Sequence, residues 1–472
     1  MSVCAIVDAM FEAREGYQIK RIFPDNVSLE GIEYSLFPSG IQQLDRCMVA
    51  FRFRNQLCLS VYRKKLGEYY ERNAYFSSIG ILLEDVNMSV EEAAAKYLNL
   101  LDFVSKAIVS PSSLKDPENV LQFVYHDFQK AIQSSYNAGE PLEEYQQGLQ
   151  SAVIEQDFSA ILSIFNTREQ LTYDSFSPSL VRHYYSLIDN WLGPVFLILY
   201  KCLMQKKRIL LVSSPSEEIY SIMDSMTRLT SVSGEENRVL PNPLCKFYSV
   251  GLTDIDILEN SNQESGWIAS TTDSVLLSKS SLYDVAFIWP TNPLSKPGPP
   301  KIQLSNGYSL KHSYEDLLNS RLISDKFDPR IASTSKFTNY SIGAIIHIIL
   351  FNSTRFHLVQ SLVSTNQTNL FAAFPRYNQF LLNLLNQHHD SIGISDMRNF
   401  GWNPFRQLDR DFVFNVAQFW VHKHVHYRYP SYAYLMQPTA WGVHSLLLFF
   451  SIWKRSVPTM LIYLLLLKWW YS

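Results

Sequence analysis

Glycine is scarce in this chain, 17 of 472 residues, against a usual share of about 7%. No glycine falls in a GxxxxGKS/T or GxGxxG run, so the backbone cradles that hold nucleotide phosphates are missing. HExxH and GxSxG are missing as well, which removes the commonest zinc-hydrolase and serine-nucleophile arrangements. The five cysteines (Cys4, Cys47, Cys58, Cys202, Cys245) are odd in number and show no CxxC spacing. They argue for a reducing compartment and against structural zinc. Cys4 admits acylation, although a lone cysteine in an apolar stretch is ordinarily core. No basic region precedes the apolar run Val3 to Ala9, and Glu12 and Glu15 follow at once. A cytoplasmic start without a secretory leader is therefore expected. The net charge of −3 argues against a nucleic-acid partner, and nothing in the chain calls for a metal or cofactor.

Acid is absent from one end of the chain. After Asp411 there is no Asp or Glu, while Lys423, Arg428, Lys454, Arg455 and Lys468 are basic. Residues 440–472 are also the most apolar of the protein. The arms Ala440 to Trp453 and Val457 to Leu467 each fall short of the ~20 residues a spanning helix needs, and one continuous span would bury Lys454, Arg455 and Pro458 near its centre. Two readings remain open. One is an interfacial hairpin on an endomembrane or lipid droplet, with Trp441, Trp453, Lys454, Arg455, Lys468, Trp469 and Trp470 at the boundary. The other is a pair of core helices. The cluster His422-Lys423-His424-Val425-His426 places imidazoles at i, i+2 and i+4, but no carboxylate follows it and Lys423 interrupts it. A basic surface patch is the ordinary reading, ahead of metal binding.

Along the chain, 47% of residues are hydrophobic, enough for two or three cores. Cys4 to Met10 and Tyr17 to Ile22 read as a strand pair, and Pro24 to Tyr34 as a turn or short helix. Cys47 to Phe53 and Gln56 to Tyr62 alternate apolar and polar residues around Arg54-Asn55, the pattern of a hairpin. Ser89-Val90-Glu91-Glu92 is a capping-box signature, and Ala94, Tyr97, Leu98, Leu101, Val104 and Ile108 then recur at helical spacing. A mainly helical connection is expected over 113–177, and a second α/β unit over 178–290. Its run Ile209 to Val212 has the unbroken apolarity of a strand buried on both faces. Residues 291–300, with four prolines, read as a linker, and 301–439 as mainly helical.

Several segments carry a family resemblance. Asn190-Trp191-Leu192-Gly193-Pro194-Val195-Phe196-Leu197-Ile198-Leu199-Tyr200 is a buried helix that runs through Gln205-Lys206-Lys207-Arg208 into the strand Ile209 to Val212. Gly266-Trp267-Ile268-Ala269-Ser270-Thr271-Thr272-Asp273-Ser274 follows, then Leu282-Tyr283-Asp284-Val285. Upstream lie Arg21-Ile22-Phe23-Pro24, Leu36-Phe37-Pro38-Ser39-Gly40, Phe51-Arg52-Phe53-Arg54 and Ser78-Ile79-Gly80-Ile81-Leu82. In this order the set resembles the DENN-domain superfamily, nearest its LCHN-like branch with fungal members.

The resemblance implies an α/β fold: a longin-like module over 1–112, a central α/β DENN module over 178–290, and a mainly helical C-terminal part. It also implies a regulator of Rab-like small GTPases, most simply a guanine-nucleotide exchange factor that binds the nucleotide-free GTPase in the cleft between modules. The alternative is a non-catalytic DENN scaffold or adaptor on endomembranes or lipid droplets. Tyr248, Asp254 and Asp256 are the candidate GTPase contacts, with a solvated loop beside the sheet as the competing reading. Trp267 and Tyr283 read as core, and Lys206-Lys207-Arg208 as a helix end that complements the carbonyl dipole.

Overall fold

A computed structural model describes residues 3–12, 14–67, 74–84, 88–109, 186–233, 239–261, 265–290, 298–312, 370–387, 391–400 and 406–428, with isolated positions elsewhere. The chain divides into two compact units. Residues 1–335 and 362–381 form the first; residues 336–361 and 382–472 form the second.

The first unit opens with five antiparallel strands: β1 (Val3–Glu12), β2 (Gly16–Phe23), β3 (Arg46–Phe53), β4 (Gln56–Leu66) and β5 (Ala74–Leu83). Both the expected strand pair and the hairpin form. Arg54 and Asn55 take φ of 49° and 69° at the hairpin tip, the mirror-image turn whose twist suits antiparallel strands. Alternate residues separate two buried faces. Ala5, Val7, Ala9, Cys47, Val49, Phe51, Cys58 and Tyr62 pack against Ile32 and Leu36 of the short helix α1 (Ile32–Leu36), and against Phe37 and Ile41 after it. Gly80 lets α1 approach, since a Cβ there would lie 3.2 Å from Leu36 Cδ2 and 3.1 Å from Ser60 Cβ. The opposite face, with Met48, Ala50, Leu59, Val61, Ile79 and Ile81, is buried as well, and α2 (Val90–Val109) packs on β4 and β5. Its capping box is present: Glu92 N–H donates to Ser89 Oγ at 3.2 Å and Ser89 N–H to Glu92 Oε2 at 3.2 Å.

The second α/β unit of the sequence follows. Helix α3 (Phe196–Met204) is buried all round and turns at Lys206 (φ 53°) into β6 (Arg208–Val212). Helix α4 (Glu217–Leu229) then leads to the short pair β7 (Val232–Ser233) and β8 (Val239–Leu240), and on to β9 (Cys245–Ser249). Helix α5 (Ile255–Asn260) precedes β10 (Trp267–Thr271), and β11 (Val285–Ile288) follows. β9, β10, β6 and β11 run parallel. Gly266, at φ 65°, is required here: a Cβ would sit 2.1 Å from the Lys206 carbonyl oxygen.

The sheet does not stop at Trp289. β12 (Lys301–Leu304) pairs antiparallel with β11, and β13 (Ser309–Leu310) pairs with β12. The segment expected to open a helical part therefore begins as a hairpin on the sheet edge, because β11 leaves a row of backbone groups that β12 satisfies. One antiparallel bridge, Phe51 to Tyr248, joins β3 to β9. It merges the main strands of both modules into one eleven-stranded sheet ordered β13-β12-β11-β6-β10-β9-β3-β4-β5-β1-β2.

Helix α6 (Leu370–Gln387) contributes its first turns to this unit. Phe374 packs 5.8 Å from the Phe196 ring and 5.1 Å from Tyr200, and buried Asn378 donates to the carbonyls of Leu229 and Ser231. The other compact unit holds α7 (Ile394–Phe400) and α8 (Gln407–Val421), with Met397, Phe400, Trp402, Phe412, Val413 and Val416 buried among them. The short strands β14 (Ser391–Ile392) and β15 (His426–Tyr427) pair in parallel there. No helix among the described residues is long and apolar enough to cross a membrane. The expectations for 113–177 and 440–472 lie outside the described residues, apart from four positions near 121–125.

Candidate functional site

Where the parallel strands end, the chain must turn. After β9 comes Val250-Gly251, then a 3-10 turn, Leu252–Asp254, that leads into α5. The Asp254 carboxylate closes this turn by accepting the Gly251 N–H at 2.8 Å. Burial raises its pKa, and the Gly251 hydrogen bond works against that rise. Ile255 and Leu258 anchor the segment in a core with Val250, Trp267 and Leu276. Anchoring those two residues leaves Leu252 and Ile257 outside, 52% and 50% exposed, beside exposed Asp256 and Glu259.

After β10 the pattern repeats. Asp273 N–H bonds to Thr271 Oγ1 at 3.0 Å, and a 3-10 turn over Ser274–Ser278 follows. That turn inserts Leu276 into the same core and leaves Val275 60% exposed. The two turns are adjacent: a Cβ on Gly251 would lie 3.6 Å from Asp273 Oδ2.

On the N-terminal module, Tyr17 lies within electrostatic reach of Asp273 in the second turn. The Tyr17 ring of β2 stacks on Phe37 with centroids 5.0 Å apart, and meets Tyr34 edge-on at 6.4 Å. Gln42 donates to the Tyr17 hydroxyl at 3.1 Å. Burial, and the negative charge of Asp273 from the other module, raise the Tyr17 pKa. Tyr34 itself is 53% exposed. Tyr34 on the N-terminal module and Leu252, Ile257 and Val275 on the two turns are thus exposed apolar side chains, with Asp256 and Glu259 exposed beside Ile257 and Asp273 within electrostatic reach of Tyr17. From Val250 to Ser278 there is no Lys or Arg at all. Exposed apolar side chains on a stretch that carries one sign of charge are a feature of protein-docking surfaces.

Two clamps hold the modules in register. Buried Asp224 of α4 accepts the Tyr248 hydroxyl at 2.8 Å, the Lys246 ammonium at 2.5 Å and the Val90 N–H at 3.0 Å, so it ties β9 to the first turn of α2. Glu217, at the start of α4, accepts Arg46 Nη1 at 2.8 Å and Met48 N–H at 2.9 Å from β3. Arg46 in turn pairs with Asp102 of α2.

The three sequence candidates fall in three different situations. Tyr248 is fully buried at φ 58° and binds Asp224; its place at the β3–β9 bridge leaves no surface for a partner, which corrects its expected role. Asp254 is half-buried and engaged in its own turn. Asp256 is exposed, next to exposed Ile257. Trp267 and Tyr283 are buried core residues, as read from the sequence. Arg208 is no helix end but the first residue of β6, where it grips Asp284 through Nη2 at 2.8 Å. Trp441, Trp453, Lys454, Arg455, Lys468, Trp469 and Trp470 lie outside the described residues. Among the described residues no group of three His, Cys, Asp or Glu is arranged to hold a metal.

Sequence reasoning missed Tyr34, Leu252, Ile257 and Val275. The signal for Tyr34 was present: Ile32 and Leu36, four apart, must share the buried face of α1, which turns Tyr34 away from it. For the others, apolar residues in short turns carry no periodicity that separates inside from outside.

Residues 6–298 match the family model of DENN domain-containing protein 11. An uncharacterized protein of Schizosaccharomyces pombe is 36% identical over 464 residues, covering 96% of this chain and 100% of that protein. DENN domain-containing protein 11 of Danio rerio is 23% identical over 287 residues, 60% of this chain and 53% of its own. The uncharacterized protein ANR2 of Saccharomyces cerevisiae is 24% identical over 308 residues, 60% of this chain and 57% of its own. With a longin-like sheet, a parallel central module and a family match across both, the chain belongs to the DENN domain-containing protein 11 family.

Proposed function

We propose that this protein regulates a Rab-like small GTPase in membrane trafficking, most simply as a guanine-nucleotide exchange factor that binds the nucleotide-free GTPase at the seam between its two modules. The observation that carries this reading is the half-exposed apolar residues Leu252, Ile257 and Val275 on two adjacent turns free of Lys and Arg, with exposed Tyr34 on the other module of a DENN-family fold. Completing the burial of each such side chain contributes on the order of 1 kcal/mol to docking. The surrounding carboxylates favour a basic partner surface and speed the encounter.

Exchange of this kind needs no general acid, base or metal in the exchange factor. A factor that binds the nucleotide-free GTPase about a thousandfold better than the loaded form weakens nucleotide binding by the same factor, roughly 4 kcal/mol. The rigid clamps at Asp224 and Glu217 support this use, because a partner is pried open only by a surface that does not itself yield. Membrane delivery is assigned to the terminal segment 440–472, with its tryptophans and basic residues as the contact; unchanged flotation after its removal would reject that part.

The test is release of a fluorescent guanine nucleotide from a panel of purified Rab proteins. Acceleration on one or two members is expected, and its loss in Leu252→Asp and Ile257→Asp, whose melting temperatures stay near wild type because both side chains face solvent. Tight binding without acceleration would replace exchange with a non-catalytic scaffold. Folded protein that neither binds nor accelerates any Rab would overturn the reading.

A further inference from the structure

Two strands of the large sheet have no neighbour on their outer side among the described residues, β13 and β2. β13 is two residues long, too short to template another strand. β2 is eight residues long, pairs with β1 alone and keeps every residue at least partly exposed. An edge of this length offers a row of backbone donors and acceptors to any extended chain.

The pairing of β2 is broken at one point. Glu12 to Ala9 of β1 oppose Gly16 to Ile19, and Asp8 to Ile6 oppose Arg21 to Phe23, so Lys20 has no opposite residue. One extra residue in one strand of a pair is a β-bulge, which bends that strand and sharpens its twist. It also resets the faces. Tyr17, Ile19 and Ile22 all pack against the core that holds Val7 and Ala9, although Ile19 and Ile22 lie three apart. Without Lys20 the same residues would follow a strict period of two, Tyr17, Ile19 and Ile22 on one face and Gln18, Arg21 and Phe23 on the other, with every β1 partner kept. Lys20 is thus the one residue of β2 that the core pattern does not need.

That residue is charged, and it is the one exposed residue of β2. Its neighbour Arg21 is drawn inward, its side chain 18% exposed and its Nη1 3.4 Å from buried Asp8. A strand laid along β2 would take the remaining water from this guanidinium, whose carboxylate partner is too distant for a strong hydrogen bond to offset the loss.

We infer that the Lys20 bulge guards the open edge of the sheet and keeps β2 from pairing with a second copy of this chain. A second copy is the neighbour to exclude, because it carries the same edge wherever the protein is concentrated. Two-fold antiparallel pairing of β2 with β2 puts the axis at the middle of Gly16–Phe23, between Ile19 and Lys20, and brings Lys20 and Arg21 of both copies together there. Like charges across a strand pair repel, and the bulge turns the two rows of backbone groups out of line. Partly exposed Tyr17, Ile19, Ile22 and Phe23 supply the attraction that this guard offsets.

The test is sedimentation velocity of the full-length protein over a concentration series, with amide hydrogen exchange read across β2. Deletion of Lys20 is expected to leave the melting temperature near wild type and to lower the dissociation constant of self-association roughly tenfold or more, with exchange slowed over Gly16–Phe23 in the associated form. Lys20→Val keeps the length of the strand and removes the charge, and is expected to strengthen association by a smaller factor. If the deletion variant does not fold, Lys20→Val alone decides, and self-association equal to that of wild type then overturns the inference. So does a folded deletion variant that associates no more than wild type, or association of either variant that leaves exchange at β2 unchanged. Wild-type protein that already pairs through β2 would overturn it as well. The assay contains no GTPase, so its outcome is separate from that of nucleotide exchange.

Discussion

Asp8 lies in the middle of β1, fully buried on the face shared with Met48, Ala50, Val61 and Ile79. Among the described residues its close opposite charge is Arg21 on β2, at 3.4 Å, too long for a strong charge-assisted hydrogen bond. Burial therefore dominates and pushes its pKa from 3.8 up to about 6, with Arg21 and Lys20 pulling the other way. An acid with a raised pKa penalises the folded state once it is charged. The penalty is fully present above about pH 6 and is relieved as pH falls toward the unfolded value. The shift of roughly two units corresponds to about 3 kcal/mol. Asp8→Asn removes the charge while keeping the shape, and Arg21 then faces a neutral amide much as it faces the protonated acid. The variant should be more stable than wild type by up to about 3 kcal/mol near neutral pH, with the advantage fading to nothing near pH 4. Urea unfolding of both proteins across this range reads the effect, because their difference cancels every titration they share. A difference that stays constant with pH, or a variant less stable at neutral pH, would refute the reasoning.

Asp224→Ala strips the shared acceptor from Lys246, Tyr248 and Val90 N–H, and should cost about 2–4 kcal/mol by leaving the buried Tyr248 hydroxyl and Val90 N–H without their acceptor and the partly exposed Lys246 ammonium without its counter-charge; a loss under 1 kcal/mol in urea melts would show that the clamp is not structural. Gly266→Ala forces a Cβ to within 2.1 Å of the Lys206 carbonyl and should leave little folded protein, measured as soluble yield and melting temperature, whereas Gly307→Ala, with open space around it, should cost roughly 1 kcal/mol. Thiol titration of the native protein should label exposed Cys245 fast, with Cys47 and Cys202 silent until unfolding; burial raises their thiols to about 12 and about 11. Fast native labelling at Cys47 would contradict the β3 packing.

Much of the N-terminal module was legible because its signals are local. The hairpin at Arg54-Asn55 and the capping box at Ser89 depend on residues within a few positions of one another, and both form where the pattern put them. The apolar run Ile209 to Val212 likewise became the central β6. Residues 301–439 read as mainly helical, yet Lys301 to Leu304 pairs with β11, a nonlocal event that no spacing announces. Asp254 and Asp256 look equivalent in sequence, two residues apart in an acidic turn. One is drawn back to close on Gly251, and the other is left in solvent.

The amino-acid sequence by itself determined the strands, the turns, the α2 start and the family, since periodicity and capping are properties of neighbours along the chain. Tertiary structure alone decided which of those elements meet. Tyr248 reads as a surface candidate until β9 pairs with β3, nearly two hundred residues upstream, and Asp224 takes its hydroxyl. Burial is set by atoms distant in sequence, and no local pattern contains them.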